Sequence, residues 1–389
     1  MYLGPEPRRQ RRGPWLFLLS VAVLAAAGWY VYKDRPELVA ALIARVPAER
    51  LPAQVRPKRT PTPTVHIPTA AEYMAEGERL FMAGRMGEAA EQYGKATQVQ
   101  PLYARAHARR ALALILKGNR REALQEARRA VEIDAQSAEN QAILGMVLDW
   151  NDQPEQAVVA CLKAVERDPK SAMAYAFLAE AYVDANNPER ALDAAQKAIA
   201  LEPESVWAQR NQGYVYERMG NFQKAVELYE KAVATHPNMT YVHLSLGRAY
   251  VAERRFDDAL AEFDKAAAID PTDPQGYDQK GWTYYVLGDY DQASVFLRKA
   301  VEVDPSYAPA CGHLGVVCYV QRNYEDAIEW LGKAIDGGVN RLEYYYELGL
   351  SHIFIGECDL AIPPLRKALE IDPNCEVARK GLQQCGIKP

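Results

Sequence analysis

Small and apolar residues recur at helical spacing from residue 70 to the end of the chain, and short polar breaks interrupt them at regular intervals. This spacing predicts amphipathic helices. Gly, Asn or Asp marks the break inside each unit, as at Gly84, Gly118 and Gly220, and Asp-Pro or Glu-Pro marks the end of many units. Because the residue before proline leaves the α region, each unit is predicted to be helix, tight turn, helix.

The breaks follow a constant period without insertions. Proline recurs at positions whose numbers differ by multiples of 34, at Pro101, Pro169, Pro203, Pro237, Pro271, Pro305 and Pro373. Alignment on the period predicts nine units over residues 70–375: 70–103, 104–137, 138–171, 172–205, 206–239, 240–273, 274–307, 308–341 and 342–375. One helix pair is too small to bury its own apolar faces, so the units are expected to stack into a solenoid.

Three positions within the unit carry small residues. The eighth is Gly or Ala in every unit, and the twentieth and twenty-seventh are Ala in every unit, from Ala89 to Ala361 and from Ala96 to Ala368. Small residues at these places let two helices approach closely.

With these columns and this period, the sequence resembles the tetratricopeptide repeat (TPR) family. The resemblance implies an all-α fold, a TPR α-solenoid in which helix-turn-helix repeats form a right-handed superhelix whose concave face is lined by the first helix of each repeat. Residues 376–389 would then form a C-terminal capping helix that ends near Gly386. Asp336–Val339 replaces the usual Asp-Pro, and Pro363 and Pro364 fall inside a predicted helix, so we expect a kink or a looser joint there.

The N-terminal residues have a different character. Residues 1–13 form a basic tail, and residues 14–33 contain an apolar stretch from Trp15 to Tyr32. As a helix that stretch would be roughly 27 Å long, which is close to the thickness of a bilayer core. It therefore predicts a single transmembrane helix. The alternative is a cleaved signal peptide with its cleavage site at Ala25–Ala27.

Positive charge near the span indicates its orientation. Arginines cluster before it, at Arg8 to Arg12, which places the N-terminus in the cytoplasm and the repeats outside. The opposite topology, with the repeats cytoplasmic, stays open because Arg45 and Arg50 follow on the far side. Residues 34–69 are predicted to be a short juxtamembrane helix followed by a Pro/Thr-rich linker. This linker is either an extended, semi-rigid spacer or a disordered connector whose length is not tuned.

Charge divides the chain at the same place. Residues 1–69 carry a net charge of +7 and the rest of the chain carries −12, within a total of −5. An acidic array without a basic stripe argues against nucleic acid as a partner. Six cysteines in 389 residues also exclude a disulfide-stapled secreted scaffold.

The sequence contains no pattern typical of catalysis. It has no phosphate-binding glycine loop, no nucleophile elbow and no metal-binding histidine pair, so we predict no catalytic residue, no metal, no cofactor and no enzyme activity. His107, His243 and His352 occupy columns filled elsewhere by Tyr, which favours packing or groove roles over metal ligation. Cys161, Cys311 and Cys318 are also predicted to pack, and one pair among Cys358, Cys375 and Cys385 could bridge if the domain is exported.

The family resemblance implies where a partner would bind, because the concave positions of such repeats are known. Several of these positions hold aromatic or charged side chains, which are frequent anchors of protein interfaces. The candidate binding residues are Trp207, Arg210, Tyr214, Arg218, Tyr241, Arg248, Asp278, Trp282, Tyr285, Tyr319 and Tyr346. The alternative is that several of them, especially Tyr214 and Trp282, only pack between neighbouring helices.

Together these features predict a membrane-anchored scaffold without enzyme activity. Its partner would be a protein or peptide held in the concave groove, and the membrane would be reached through the N-terminal helix. Three alternatives remain: an assembly or chaperone-like factor on the cytoplasmic face, a regulatory subunit of an enzyme complex, and a homo-oligomeric scaffold.

Overall fold

The computed structural model describes residues 68–388, together with isolated positions between Ala25 and Val46. The basic tail, the predicted anchor at 14–33, and the juxtamembrane helix and linker therefore lie outside the described residues, apart from those positions and residues 68 and 69. In the parts of the chain that are described, no helix has both the length and the apolar character to cross a bilayer. Residues 68–389 form one compact unit, which is considered by itself below.

Helices joined by short turns make up this unit, and the first and second helices of successive pairs alternate along the chain. The odd-numbered first helices are α1 Ala70–Met82, α3 Ala104–Leu116, α5 Ala138–Asp149, α7 Ala172–Asp184, α9 Val206–Arg218, α11 Thr240–Ala252, α13 Pro274–Leu287, α15 Ala308–Val320 and α17 Leu342–Phe354. The even-numbered second helices are α2 Met86–Val99, α4 Arg120–Ile133, α6 Pro154–Arg167, α8 Pro188–Leu201, α10 Phe222–Thr235, α12 Phe256–Ile269, α14 Tyr290–Val303, α16 Tyr324–Asp336 and α18 Cys358–Ile371. A last helix, α19, spans Glu376–Gln384.

Local sequence explains where these helices begin and end. Thr69 caps α1: its hydroxyl accepts from the Glu72 amide at 3.3 Å, and the Glu72 carboxylate accepts from the Thr69 amide at 2.7 Å. At the other end of a pair, Asp168 follows α6 with φ −135° and ψ 92°, the extended conformation that proline imposes on the residue before it. The Asp-Pro signal thus ends the helix as predicted.

The small-residue columns lie at the closest helix contacts. Every alanine of the twentieth and twenty-seventh columns, from Ala89 to Ala368, is fully buried. The eighth column faces the twenty-fourth: a Cβ on Gly247 would overlap the Phe263 ring, and a Cβ on Gly213 would lie 2.7 Å from Tyr229. Glycine at these positions gives the large side chain of the second helix room to pack.

The helices stack in two layers. Each first helix from α3 onward packs on the first helix of the next pair, while each second helix packs on its own first helix and on the following one. The first helices therefore form one continuous layer. Side chains from that layer line the pocket described below.

The array also winds back on itself. The turn at Gly84 meets the loop before α11, where the Asn238 carbonyl oxygen occupies the space that a Cβ on Gly84 would take. Lys117 Nζ lies 3.5 Å from Thr272 Oγ1, and Gln275 Nε2 donates to the Leu116 carbonyl at 3.4 Å. These contacts join the first two helix pairs to pairs much later in the sequence.

The helix that contains the proline pair, where we expect a kink or a looser joint, is continuous. Helix α18 runs through Pro363 and Pro364 and has 14 residues, the same length as α14. Ala361, Leu365 and Ala368 of α18 are fully buried. Burial of this face holds the helix together although two backbone donors are missing.

The second irregular place, Asp336–Val339, does change the local structure. Helix α16 ends at Asp336 after 13 residues, and Gly338 adopts a left-handed φ of 90°. Here a glycine turn takes the place of the extended residue that ends the other second helices.

One cysteine pair at the C-terminal end forms a disulfide. Cys358 at the start of α18 bonds to Cys385 after α19, with their Cα atoms 5.4 Å apart. Cys375 is free and buried, as are Cys161, Cys311 and Cys318. The bridge fixes α19 on the last helix pair, and the other four cysteines fill space in the core.

Candidate functional site

A pocket of about 340 Å³ opens among the first helices in the middle of the array. We call it the central pocket. Helices α5, α7, α9 and α11 supply most of its walls, and Leu116, Arg120 and Gln275 complete it from α3, α4 and α13. The residues that bear charge or an aromatic ring are Arg120, Asp149, Trp150, Asp152, Glu180, Asp184, Arg210, Tyr214, Tyr241 and Arg248.

Arg210 lies at the centre of this wall. It is 4% exposed and pairs with Glu180 of α7, which is 3% exposed, and it also donates to Asn211 Oδ1 at 3.0 Å. The guanidinium carbon lies over the rings of Tyr214 at 4.9 Å, Trp150 at 5.7 Å and Tyr241 at 5.9 Å. Burial opposes the charge of Arg210, but the nearby Glu180 outweighs burial and raises the pKa of Arg210, so the guanidinium stays charged.

The pocket contains carboxylate oxygens that have no hydrogen-bond donor within the described residues. Tyr214 donates its hydroxyl to Asp184 Oδ1 at 2.9 Å, and Arg218 Nε lies 3.4 Å from the same oxygen. Within residues 68–388, however, neither oxygen of Asp149 has a hydrogen-bond partner, although the residue is only 6% exposed. Burial, followed by the nearby charges of Glu180 and Asp184, raises the pKa of Asp149 far above its ordinary value of 3.8.

The aromatic residues predicted for this region pack on one another. Trp207 meets Phe177 edge-on at 5.1 Å between ring centroids and stacks on Tyr241 at 5.3 Å. Tyr241 is only 6% exposed, and desolvation raises the pKa of its hydroxyl. These two rings therefore hold α7, α9 and α11 together, and Tyr241 also lines the pocket.

Further along the layer of first helices, Asp278, Trp282 and Tyr285 of α13 form a second group. Asp278 is fully buried and accepts a 2.7 Å contact from His313 Nδ1 of α15. Trp282 stacks on His313 at 4.2 Å and on Tyr285 at 4.5 Å. This arrangement joins α13 to α15, and Tyr285 keeps part of its ring exposed.

Tyr319 and Tyr346 belong to a third group, around Glu347 of α17. Glu347 is 8% exposed, and its Oε2 has no hydrogen-bond partner in the described part of the chain. Burial, followed by repulsion from Glu343, raises the pKa of Glu347 to about 7. Its charge in turn adds to the desolvation that raises the pKa values of Tyr285, Tyr319 and Tyr346.

The structure thus brings the sequence-predicted residues together in three groups along the first helices. Arg210, Tyr214, Tyr241 and Arg248 line the central pocket, with Trp207 packed behind Tyr241 and Arg218 against Asp184. The other predicted residues lie near His313 or Glu347. The sequence analysis missed the acidic members, namely Asp149, Glu180, Asp184 and Glu347. Their signal was present, because each is a charged residue in a first helix at or next to the concave columns.

The histidines take structural positions. His107 Nδ1 lies 2.5 Å from Glu126 and its Nε2 lies 3.1 Å from the Pro101 carbonyl oxygen. His243 repeats the arrangement with Glu262 at 2.6 Å and with the Pro237 carbonyl at 2.9 Å. Each links the two helices of a pair to the preceding loop. In the described residues no group of His, Cys, Asp and Glu has the arrangement of a metal site.

Comparison with known families supports the repeat assignment. A tetratricopeptide repeat family model matches residues 74–138 and 151–206. A second model, described as the C-terminal domain of cilia and flagella-associated protein 70, matches residues 204–389. A comparison with curated protein sequences found no match.

Solved structures of similar fold are distant in sequence. The crystal structure of the APC/C hetero-tetramer Cut9–Hcn1 aligns with a TM-score of 0.57 at 15% identity, over 81% of this chain and 76% of that one. The human IFIT1 dimer with PPP-AAAA aligns with a TM-score of 0.51 at 18% identity, over 77% and 82%. The same dimer with m7Gppp-AAAA aligns with a TM-score of 0.52 at 17% identity, over 77% and 81%.

At this level of identity the likeness concerns the fold alone. Such repeats are typically interaction scaffolds rather than catalysts. The helix pairs and the small-residue columns show an all-α solenoid of tandem helical repeats, and the family model identifies tetratricopeptide repeats within it at residues 74–138 and 151–206.

Proposed function

We propose that this protein is a membrane-anchored scaffold whose solenoid holds a protein or peptide segment in its groove, in order to recruit or assemble a complex at the membrane. The central pocket carries this proposal. It opens on the layer of first helices and combines aromatic walls with buried polar atoms that have no partner among the described residues. Polar groups that fix orientation within an apolar wall are typical of binding sites.

All nine units are proposed to be tetratricopeptide repeats. The helix pairs recur at one constant period from α1 to α18, which supports this extension beyond residues 74–138 and 151–206. Helix α19 would act as the cap. Nine stacked units offer a groove long enough for several contacts with one partner.

The membrane part of the proposal rests on the sequence of residues 14–33. Its length and its aromatic ends suit a single span, with the N-terminus in the cytoplasm and the repeats outside. The disulfide between Cys358 and Cys385 supports this topology, because such bonds persist in oxidising compartments. The opposite topology would place the bond in a reducing compartment.

Protease digestion of intact cells tests the topology. We expect residues 70–389 to be digested from outside while the chain stays in the membrane fraction after alkaline washing. Protection until lysis would contradict the exported topology and favour the cytoplasmic assembly factor. Release by alkaline washing would contradict the anchor itself.

Partner capture tests the groove. Arg248, Tyr319 and Tyr346 are partly exposed residues of the first helices, so their joint replacement by Ala should abolish capture of partners by chemical cross-linking in native membranes. The matched control replaces Val159, Leu162 and Val295, which are exposed on second helices. Equal capture by both triple variants would contradict binding in the groove.

A further inference from the structure

The central pocket contains more acceptor atoms than the protein itself can satisfy. In the described chain, both oxygens of Asp149 and Oε2 of Glu180 are buried without a hydrogen-bond partner. Glu180 uses its other oxygen twice, for Arg210 and for Trp150 Nε1 at 3.0 Å. Because a buried unpaired carboxylate is strongly disfavoured, three acceptors on one wall indicate a missing donor.

Among the described residues, no nearby cation donates a hydrogen bond to Asp149. Arg210 pairs with Glu180 and keeps a buried Nε without a partner in the described chain, Arg120 pairs with Asp152 at 3.0 Å, and Arg248 donates to Ser245 at 3.2 Å. Arg218 lies against Asp184. Asp149 therefore has no hydrogen-bonded cation, although the charge of Arg210 acts on it from nearby.

The surrounding walls suit a positively charged group. Trp150, Tyr214 and Tyr241 already lie over the Arg210 guanidinium, which shows that the pocket holds a buried cation against aromatic faces. The cavity volume of about 340 Å³ admits one long side chain but not a helix. The acidic solenoid, with a net charge of −12 over residues 70–389, would attract a basic partner from a distance.

We propose that the central pocket takes a lysine or arginine side chain of the partner, whose cationic head binds Asp149 and the free oxygen of Glu180. The inference rests on the proposed function, because it names the chemistry by which the groove recognises its partner. Asp149 of α5 and Glu180 of α7 are the residues that contact the head group, and the aromatic walls contact its stem.

Proton release is a second consequence. Asp149 faces Glu180 and Asp184 of α7, Arg210 of α9, Asp152 in the turn after α5, and the Cys161 thiol of α6. Burial and the two α7 carboxylates raise the pKa of Asp149, which favours its protonated form in the empty pocket. A bound cation reverses that balance and expels the proton.

Calorimetric titration of the full-length chain in detergent tests this inference. The probes are N-acetyl-arginine amide, N-acetyl-lysine amide and N-acetyl-citrulline amide, the last being a neutral analogue of arginine. We expect one or both cations to bind and citrulline not to bind. Binding of arginine alone identifies a guanidinium partner, and binding of lysine alone identifies an ammonium partner. Equal binding of citrulline, or no binding of either cation, overturns the proposal.

Two variants locate the bound probe. Asp149→Asn keeps the shape of the side chain and should weaken cation binding at least tenfold, whereas Asp257→Asn, on the exposed face of α12 outside the pocket, should change it less than twofold. Titration in two buffers of different ionisation enthalpy should show up to one proton released per cation by the wild type and none by Asp149→Asn. Unchanged affinity in Asp149→Asn, or equal proton release by both proteins, contradicts the assignment.

The result is separable from the proposed function. Loss of partner capture in the groove variants with no cation binding refutes the pocket assignment alone. Cation binding with undisturbed capture in the groove variants refutes the groove as the partner site.

Discussion

At the scale of single residues, the eighth and twenty-fourth positions of the unit are chosen as a pair. Where the eighth is Gly, the twenty-fourth is larger than Ala: it is Tyr, Phe or Leu in six units, as in Gly247 with Phe263, and Cys161 opposite Gly145. Where the eighth is Ala, at Ala111 and Ala179, the twenty-fourth is also Ala, at Ala127 and Ala195, and all four are fully buried. The combined volume of the two side chains at this closest helix crossing is thus kept within limits, because the interior has no spare space.

This pairing predicts a compensated double variant. Gly247→Ala should lower the free energy of unfolding by about 2 kcal/mol, since its Cβ would overlap the Phe263 ring. Phe263→Ala should lower it by about 3 kcal/mol through a cavity. The double variant copies the Ala–Ala pairs and should be more stable than the sum of the two effects. Urea unfolding of all four proteins measures this coupling, and strict additivity would contradict the pairing.

Glu347 predicts a pH dependence. Its pKa of about 7 in the folded state lies above its ordinary value of 4.5, so the folded chain binds the extra proton between these values and stability falls as pH rises through them. Glu347→Gln should remove this loss. We expect the free energy of unfolding of Glu347→Gln to equal that of the wild type at about pH 4 and to exceed it by about 3 kcal/mol at about pH 8.

The measurement is urea unfolding at both pH values. Glu325→Gln, an exposed glutamate of α16, is the control and should show no such change with pH. The same difference in the free energy of unfolding between Glu347→Gln and the wild type at both pH values would contradict the raised pKa of Glu347.

At the scale of elements, most helices follow local signals, whereas the last two depend on their surroundings. Helix α18 persists through Pro363 and Pro364 because its apolar face is buried. The short helix α19 has nine residues, too few for stability in isolation, and the bond between Cys358 and Cys385 holds it in place.

Removal of this bond should release α19. The two cysteines are 27 residues apart in sequence, and the loss of such a loop closure corresponds to about 3.5 kcal/mol. In the Cys358→Ser/Cys385→Ser variant we expect the amides of α19 to lose protection from hydrogen exchange while α15 keeps its protection. Cys375→Ser is the control, since it removes a thiol and leaves the bridge. Unchanged protection of α19 in the double variant would show that packing alone holds the cap.

At the scale of the whole described unit, contacts between distant pairs set the width of the groove. The turn at Gly84 touches the loop at Asn238, and Gln275 of α13 reaches the end of α3. These contacts bring Leu116 and Gln275 together in the wall of the central pocket. The curvature of the array therefore decides which residues face one another across the groove.

A comparison of two glycines of similar conformation distinguishes the effect of local backbone strain from the effect of this long-range contact. Gly84 and Gly118 both have positive φ, at 81° and 89°, but within the described chain only Gly84 has another segment against it. Alanine at either position should cost about 1 kcal/mol locally. Gly84→Ala should in addition separate the turn at residue 84 from the loop at Asn238.

Spin labels at the exposed positions Met82 and Lys231 report the separation of these two regions by pulsed electron resonance. We expect a longer and broader distance distribution in Gly84→Ala and an unchanged one in Gly118→Ala. The same distribution in both variants would show that the contact does not set the curvature.

The sequence by itself determined the helix pairs, the small-residue columns and the positions of most candidate residues. These depend on local signals that return in unit after unit, such as proline after an acidic residue and alanine at a helix crossing. It did not reveal that Tyr241 and Asp278 are buried, nor that Asp149, Glu180 and Arg210, which lie on three different helices, form one pocket. Only the tertiary structure decided this, because the small rotation between successive pairs accumulates along the array and is not encoded in any single unit.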